Sequence, residues 1–449
     1  MRFIPTTTKD KKEIMDSIGI RNIRELFQSL PSEYILQDSV GIGEAMSEQD
    51  VTQFLTELSK QNVTFDDASC FIGEIAWYHY VPAIVKATTS LPSFYTAYTP
   101  YQPELSQGTL EAIYEFQSYM VNLTKLDASN ASMYDGATAL AEAMIMVLTS
   151  NRKEVAMISS LLHPYLKKVL YTYAESRNYT IKEVSSDDGS TNLMDLKNEL
   201  NNEIGCFIIQ SPNTFGIIED LSEVTSILQE KKIPSIAVIL ESFSLGLLKP
   251  PGEYGFDIVC GEAQSFGMHP QFGGPGLGYM CVKDKYIRKM PGRIIGKTVD
   301  IEGKTSYVMT LRAREQDIRR NKATSNICTN NALCALQATV FLSTVGENGL
   351  RSLAKRNFNH AHYALQELND LDGVTIPFKK PFFNEFLVQF NKPLDYIREE
   401  LLQRDILVSK NDFGKFYPAL HNSLILTFTE MNSKDEIDHL CDSLKEVLK

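Results

Sequence analysis

Between Gly261 and Gly276 the chain reads GEAQSFGMHPQFGGPG, a loop of small residues around one carboxamide, Gln264; the strand-like run SIAVIL ends before it at Glu241. A carboxylate at a strand end can hold a positive charge. A carboxamide can hydrogen-bond but cannot condense with an aldehyde, because its nitrogen lone pair is delocalised into the carbonyl. Residues 95–108, YTAYTPYQPELSQG, set Tyr95, Tyr98, Tyr101, Gln102 and Glu104 around Pro100 and Pro103. Each proline biases its predecessor away from helix, which predicts an extended aromatic loop. Arg312, Arg314, Arg319, Arg320 and Lys322 gather positive charge in an otherwise acidic chain, and Thr324, Ser325 and Asn326 follow. Guanidinium forks, point cations and hydroxyl or amide donors suit carboxylates and phosphates. Each group also has a plain structural reading: the tyrosines as core packing, the cations as a solvated helical face beside Glu315 and Asp317, the hydroxyls as loop caps.

Motifs that point elsewhere are incomplete. The triplets Gly296-Lys297-Thr298 and Gly303-Lys304-Thr305 have Pro291 and Thr298 five positions before their glycines, so neither is a phosphate loop. GGPGLG at 273–278 misplaces its glycines and precedes a strand-like run, GYMCVK, where a dinucleotide fingerprint would open a helix. His360 and His362 lie two apart and face different sides of a helix, so no metal site is predicted. A net charge of -12 and a pI near 5.2 argue against nucleic acid and against an anionic membrane. The seven cysteines are scattered without a CxxC pair, which indicates neither disulfides nor zinc and suits a reducing cytoplasm. MRFIPTTTKDKKEIMDSIGI mixes charges with its apolar residues, and no run approaches membrane-spanning length, so neither export nor insertion is expected.

The elements that must position these groups are legible from periodicity. Residues 1–103 read as a helical N-terminal arm or subdomain, with apolar residues at helical spacing in 11–28 and 50–59 and a proline-punctuated stretch after them. Residues 104–330 open with two helical patterns to Ser150. Strand-like VAMIS, GCFIIQ, SIAVIL, FDIVCG and GYMCVK then alternate with amphipathic helices at 162–176 and 219–231, which predicts a large α/β domain with a mostly parallel sheet. Two connecting helical segments at 331–368 lead to a small α+β C-terminal domain at 369–449.

In pyridoxal-phosphate enzymes of the aminotransferase-like fold, an acid at a strand end pairs with the pyridine nitrogen and a lysine further on forms the Schiff base; here Gln264 stands at the lysine's place. The chain resembles the α-subunit (subunit 1) family of glycine dehydrogenase (decarboxylating), the P protein of the glycine cleavage system, over essentially its whole length. Besides the tyrosine loop, the specific segments are NASMYDGATALAEA at 130–143, QSPNTFGIIED at 210–220, SLGLLKPPGEYGFDIVCGEAQSFG at 244–267, MPGRIIGKT at 290–298 and REQDIRRNKATSNICTN at 314–330.

The resemblance implies pyridoxal-phosphate fold type I and an α2β2 heterotetramer whose β subunit carries pyridoxal phosphate on its own lysine. The whole enzyme would remove the carboxylate of glycine as carbon dioxide and pass the aminomethyl group to the lipoyl arm of the H protein. Tyr95, Tyr98, Gln102, Glu104 and Arg319 would be contributed to the partner's catalytic site, and Thr324, Ser325 and Asn326 to its cofactor across the interface. Gly273, Gly274, Pro275 and Gly276 would shape a tight loop beneath the vestigial lysine position. Asn130, Tyr134, Asp135 and Gly136 would begin a helix that holds phosphate in a cofactor-binding relative but is structural here. The chain departs from the family pattern at Ile75, where a GxG pair is usual, at Glu241-Ser242, where Asp-Pro is common, and at Asp317, where histidine is common. Two other roles stay open: a structural or regulatory pseudoenzyme that only stabilises the β subunit, and an independent lyase using another lysine such as Lys249.

Overall fold

The computed structural model describes residues 6–36, 40–271 and 274–449, and the chain divides into two units, Met1–Val63 and Thr64–Lys449. In the first, helix α1 (Thr8–Ile18) opens on a capping box between Thr7 and Asp10 and closes on Gly19 at φ 75°, a left-handed conformation that costs glycine little. Helix α2 (Glu48–Ser59) starts from Ser47, whose hydroxyl accepts from Asp50 N. No described side chain of this unit is buried.

The second unit is built on seven strands: β1 (Ala128–Ser129), β2 (Val155–Ser159), β3 (Thr180–Val184), β4 (Ile204–Gln210), β5 (Ser235–Ile239), β6 (Ile258–Glu262) and β7 (Gly278–Val282). In space they run β1-β7-β6-β5-β4-β2-β3. Only β7 opposes its neighbours; the pairs from β6 through β3 are parallel. Continuous apolar runs such as IGCFIIQ fit a sheet covered on both faces, and β4 is buried along its whole length. Helices α3 (Gln107–Thr124), α4 (Gly136–Asn151), α5 (Pro164–Arg177), α6 (Leu221–Lys231) and α7 (Ala332–Asn369) supply the covers. The two-residue period of β4 divides them: Phe207 and Ile209 pack with Phe116 of α3, Val224 of α6 and Phe341 of α7, whereas Cys206 and Ile208 pack with Met144 of α4 and Leu170 of α5. Gly346, at φ 62° and ψ -177°, breaks α7 internally.

A hairpin of β8 (Ile294–Val299) and β9 (Thr305–Thr310) lies against α3, where the Gln117 carboxamide bonds both N and O of Ile295. The C-terminal sheet is antiparallel, β10 (Val374–Thr375), β11 (Glu385–Phe390) and β12 (Ser423–Thr427), backed by α8 (Leu394–Leu402) and α9 (Lys434–Val447). Ser69–Cys70 pairs in parallel with Ile406–Leu407, so the segment that follows leaves this C-terminal layer and runs toward the end of the large sheet. There it meets the residues that follow β5 and β6, Trp77 N reaching Gln264 and His79 reaching Glu241. Among the described residues no helix is long and apolar enough to cross a membrane.

Candidate functional site

The carboxyl ends of β5 and β6 meet the start of α4 with very little room. A Cβ on Gly261 would collide with the Ile239 carbonyl, and one on Gly136 would stand 3.0 Å from Gly261 C and 3.1 Å from Glu262 N. Beside them lies a cavity of about 310 Å³ whose lining includes Asp135, Glu262, Gln264, His269 and the loop residues Gly274, Pro275 and Gly276. Gly273 lies outside the described residues.

Gln264 is 5% exposed and hydrogen-bonded at both ends of its carboxamide. Its Oε1 accepts from Trp77 N at 3.3 Å, and its amide nitrogen donates to the Met268 carbonyl. One carboxylate ties it to the helix start: Glu262 Oε1 accepts from Gln264 N (3.0 Å) and Leu277 N (2.6 Å), while Glu262 Oε2 accepts from Gly136 N (3.0 Å). Burial pushes the Glu262 carboxyl up to about 7 against the pull of these amides, and the charge of Asp135 adds to the rise. Asp135 itself caps α4, its Oδ1 accepting from Thr138 N at 2.7 Å. Asn130 serves packing, donating to the Pro291 carbonyl and accepting from Met280 N.

Glu241, at the end of β5, is 3% exposed and accepts from Phe243 N (2.9 Å) and Ser265 Oγ (3.0 Å). Its charge partner is a histidine of its own chain. His79, fully buried, places Nε2 3.3 Å from Glu241 and Nδ1 2.8 Å from Glu430, with its ring stacked on Phe243 at 3.9 Å. Burial alone would lower the imidazole, but the charges and hydrogen bonds of Glu241 and Glu430 outweigh it and push it up to about 10. Both nitrogens therefore donate at neutral pH.

The segment that delivers His79 is fixed at two more points. Glu74 takes φ 77°, rare for a side-chain-bearing residue, so the backbone irregularity falls there and not at Ile75. The Glu74 carboxylate accepts from Ser409 Oγ and from Asn411 Nδ2 (2.6 Å), and lies 3.6 Å from His163 Nε2. Glu385 Oε2 accepts from Trp77 Nε1 (3.0 Å), Glu74 N (3.2 Å) and Thr427 Oγ1 (2.9 Å). Burial, with Glu74 close by, pushes Glu385 up to about 7.

Pyridoxal phosphate can be tested against these residues. Its aldehyde needs a primary amine, and position 264 offers a carboxamide. Its phosphate needs free donors, and two of the first amides of α4 are taken by carboxylates. Its pyridine nitrogen needs an acid, and Glu241 is held by His79. The residues of this chain do not fit the cofactor. Lys249, the alternative amine, lies over the Tyr254 ring at 4.4 Å and is not among the residues lining the cavity at Gln264.

The remaining residues singled out from the sequence lie apart from this buried cluster. Tyr95 and Tyr98 are 68% and 83% exposed, so they pack into no core of this chain; Gln102, Glu104, Arg319 and Asn326 are exposed as well. The loop is less extended than expected, because Pro92 starts one helical turn, Pro92–Tyr95. Thr324 and Ser325 are half-buried; the Thr324 carbonyl accepts from Arg177 at 3.4 Å and the Ser325 hydroxyl from Ile327 N at 3.0 Å. Tyr101 joins the tyrosine loop to the cationic stretch, its ring lying 5.3 Å from Arg312, which pairs with Asp317 at 2.6 Å. Sequence reasoning passed over His79, Glu74, Glu385 and Glu430. A histidine among aromatics in AWYHYVP, followed far along the chain by isolated glutamates, carries no local signature. Among the described residues, no group of three or more His, Cys, Asp or Glu side chains could hold a metal.

The family model for the glycine cleavage system P-protein matches residues 1–444. Proteins named probable glycine dehydrogenase (decarboxylating) subunit 1 from Bacillus cereus (strain B4264) and Bacillus thuringiensis (strain Al Hakam) are each 42% identical over 444 residues, 99% of this chain and 98% of theirs. A crystal structure of glycine decarboxylase (P-protein) of the glycine cleavage system, in inhibitor-bound form, superposes with a TM-score of 0.91 at 36% identity, covering 100% of both chains. A sphingosine-1-phosphate lyase of Burkholderia pseudomallei (TM-score 0.67, 11% identity, 93% of each chain) shares the fold alone. The architecture is that of pyridoxal-phosphate fold type I.

Proposed function

The chain belongs to the glycine cleavage system P-protein family, and from that premise we propose that it is the lysine-free α subunit of a two-subunit glycine dehydrogenase (decarboxylating). Its partner, the β subunit, carries pyridoxal phosphate on its own lysine, and two copies of each form an α2β2 assembly. There glycine loses its carboxylate as carbon dioxide, and the aminomethyl group passes to the lipoyl arm of the H protein. Alone, this chain turns over no glycine. The observation that carries the reading is the carboxamide at position 264, engaged on both its oxygen and its nitrogen. Seven free cysteines, all but Cys328 buried, suit work in a reducing cytoplasm.

Within the assembly, Tyr95, Tyr98, Gln102 and Glu104 complete the partner's catalytic site, Arg319 holds an anion such as the carboxylate of glycine, and Thr324, Ser325 and Asn326 face the partner's cofactor phosphate. Exposure of the tyrosine loop supports this reading, since Tyr95, Tyr98 and Leu105 are left to solvent by the rest of this chain. The test is co-expression with the β subunit and measurement of glycine-dependent carbon dioxide release, with each subunit alone as control. Release by the pair and by neither component supports the proposal. Release by β alone, unchanged when this chain is added, refutes it.

A further inference from the structure

Several groups that a phosphorylated aldehyde would need are engaged, in this chain, by the chain itself. His79 stands to Glu241 as a pyridinium would, a flat protonated ring stacked on Phe243 and donating to the strand-end carboxylate. The Trp77 amide holds the side chain at position 264. Glu74 and Glu385 fasten the segment that brings both residues in, through Asn411, Ser409 and Thr427 on the C-terminal side of the molecule.

We propose that residues 74–79 and the Glu262 carboxylate close this site from within, so that a lysine restored at position 264 would not by itself restore selective capture of a phosphorylated aldehyde. The inference stands on the geometry of this chain and not on the partner's part in the reaction. Glu262 is the decisive group. It is 7% exposed and bonds at once to residue 264 and to Gly136, so it lies between the aldehyde end and the phosphate end of any such ligand. A phosphate brought to the α4 start would lose the Gly136 amide to Glu262, the Thr138 amide to Asp135, and would face two carboxylates in a poorly solvated place. A neutral carboxamide at position 262 keeps an oxygen for the amides and removes one of those charges.

The experiment uses the full-length chain. Gln264→Lys and Gln264→Lys/Glu262→Gln are incubated with pyridoxal 5'-phosphate or with unphosphorylated pyridoxal, reduced with borohydride, and the pyridoxyl group on residue 264 is counted by peptide mass spectrometry. With the lysine alone, the two aldehydes should half-saturate within about threefold of each other; adding Glu262→Gln should sharpen the preference for the phosphorylated one by about tenfold, the worth of one charge-assisted contact. A preference of about tenfold already present with the lysine alone overturns the proposal. So does the absence of any preference in both variants, because Glu262 would then not be the barrier. Should the lysine variants lose native circular dichroism, equilibrium dialysis of inorganic phosphate against the wild-type chain and Glu262→Gln decides: binding gained by the variant supports closure, and equal binding overturns it.

Discussion

The guanidinium group of Arg293 lies 5.7 Å from the centroid of the Tyr101 ring. Arg293 is 6% exposed and donates to Asn330 at 3.1 Å, and the Asn330 amide in turn reaches the Ala131 carbonyl and Ser132 Oγ. With Arg312 also approaching this ring, at 5.3 Å, the tyrosine loop is fastened at Tyr101 while Tyr95 and Tyr98 remain exposed. Tyr101 is thus an anchor, and the two outer tyrosines are what the anchor presents.

Tyr101→Leu should lower kcat/KM for glycine in the reconstituted complex by about tenfold, as expected for losing two cation–π contacts of about 0.5–1 kcal/mol each. Tyr101→Phe keeps the ring face and should stay near wild type. Equal rates for the leucine and phenylalanine variants would show that the ring does not hold the loop.

Arg319→Ala in the complex should raise KM for glycine by about tenfold with little change in kcat, the pattern of a lost ground-state contact to the carboxylate. An unchanged KM assigns Arg319 to a solvated face. Likewise, Tyr95→Phe and Tyr98→Phe should each slow carbon dioxide release; full activity in both makes the loop merely structural.

His79→Gln should cost about 3–5 kcal/mol of stability at pH 7, because Glu241 and Glu430 stay buried without their cation. The folded imidazole is raised to about 10 from an ordinary value of 6.5. Its contribution is therefore complete below pH 6.5 and is lost as pH rises through about 10. Denaturant midpoints of the wild-type chain should fall over that interval and those of the variant should fall less; parallel curves would contradict the assignment.

Glu385→Gln tests a buried acid whose contribution also falls as pH rises, over a lower interval. The folded carboxyl is raised to about 7 from 4.5, so its contribution is complete below pH 4.5 and declines as pH rises through about 7. The variant, whose amide oxygen can still accept from Trp77, should become more stable relative to wild type between pH 5 and about 7, as read from melting temperatures across pH. Glu262 titrates in the same direction, so the wild-type decline should shrink without vanishing. No change in the difference across that range would mean that Glu385 ionises freely in the folded chain.

Strand-forming runs were legible because a sheet covered on both faces demands continuous apolar sequence, and VAMIS, IGCFIIQ and SIAVI satisfy that demand. The α4 cap was legible for a similar reason, since Asp135 lies immediately before an alanine-rich helix. Gln264 stood out through its place after β6. Its surroundings did not, because Trp77, His79, Glu241, Glu385 and Glu430 meet only when the segment beginning at Ser69–Cys70 is drawn off the C-terminal layer toward the large sheet. Nor could the sequence show that Glu262 faces the α4 start. That contact depends on Gly261 and Gly136 letting two backbones come together, and the glycines alone do not say which carboxylate fills the gap.

Borohydride reduction of the assembled, glycine-active complex, followed by peptide mapping of both subunits, locates the lysine that holds the cofactor. A pyridoxyl group is expected on one lysine of the partner subunit and on none of this chain. A pyridoxyl lysine in this chain, together with glycine turnover by the chain alone, would contradict that expectation.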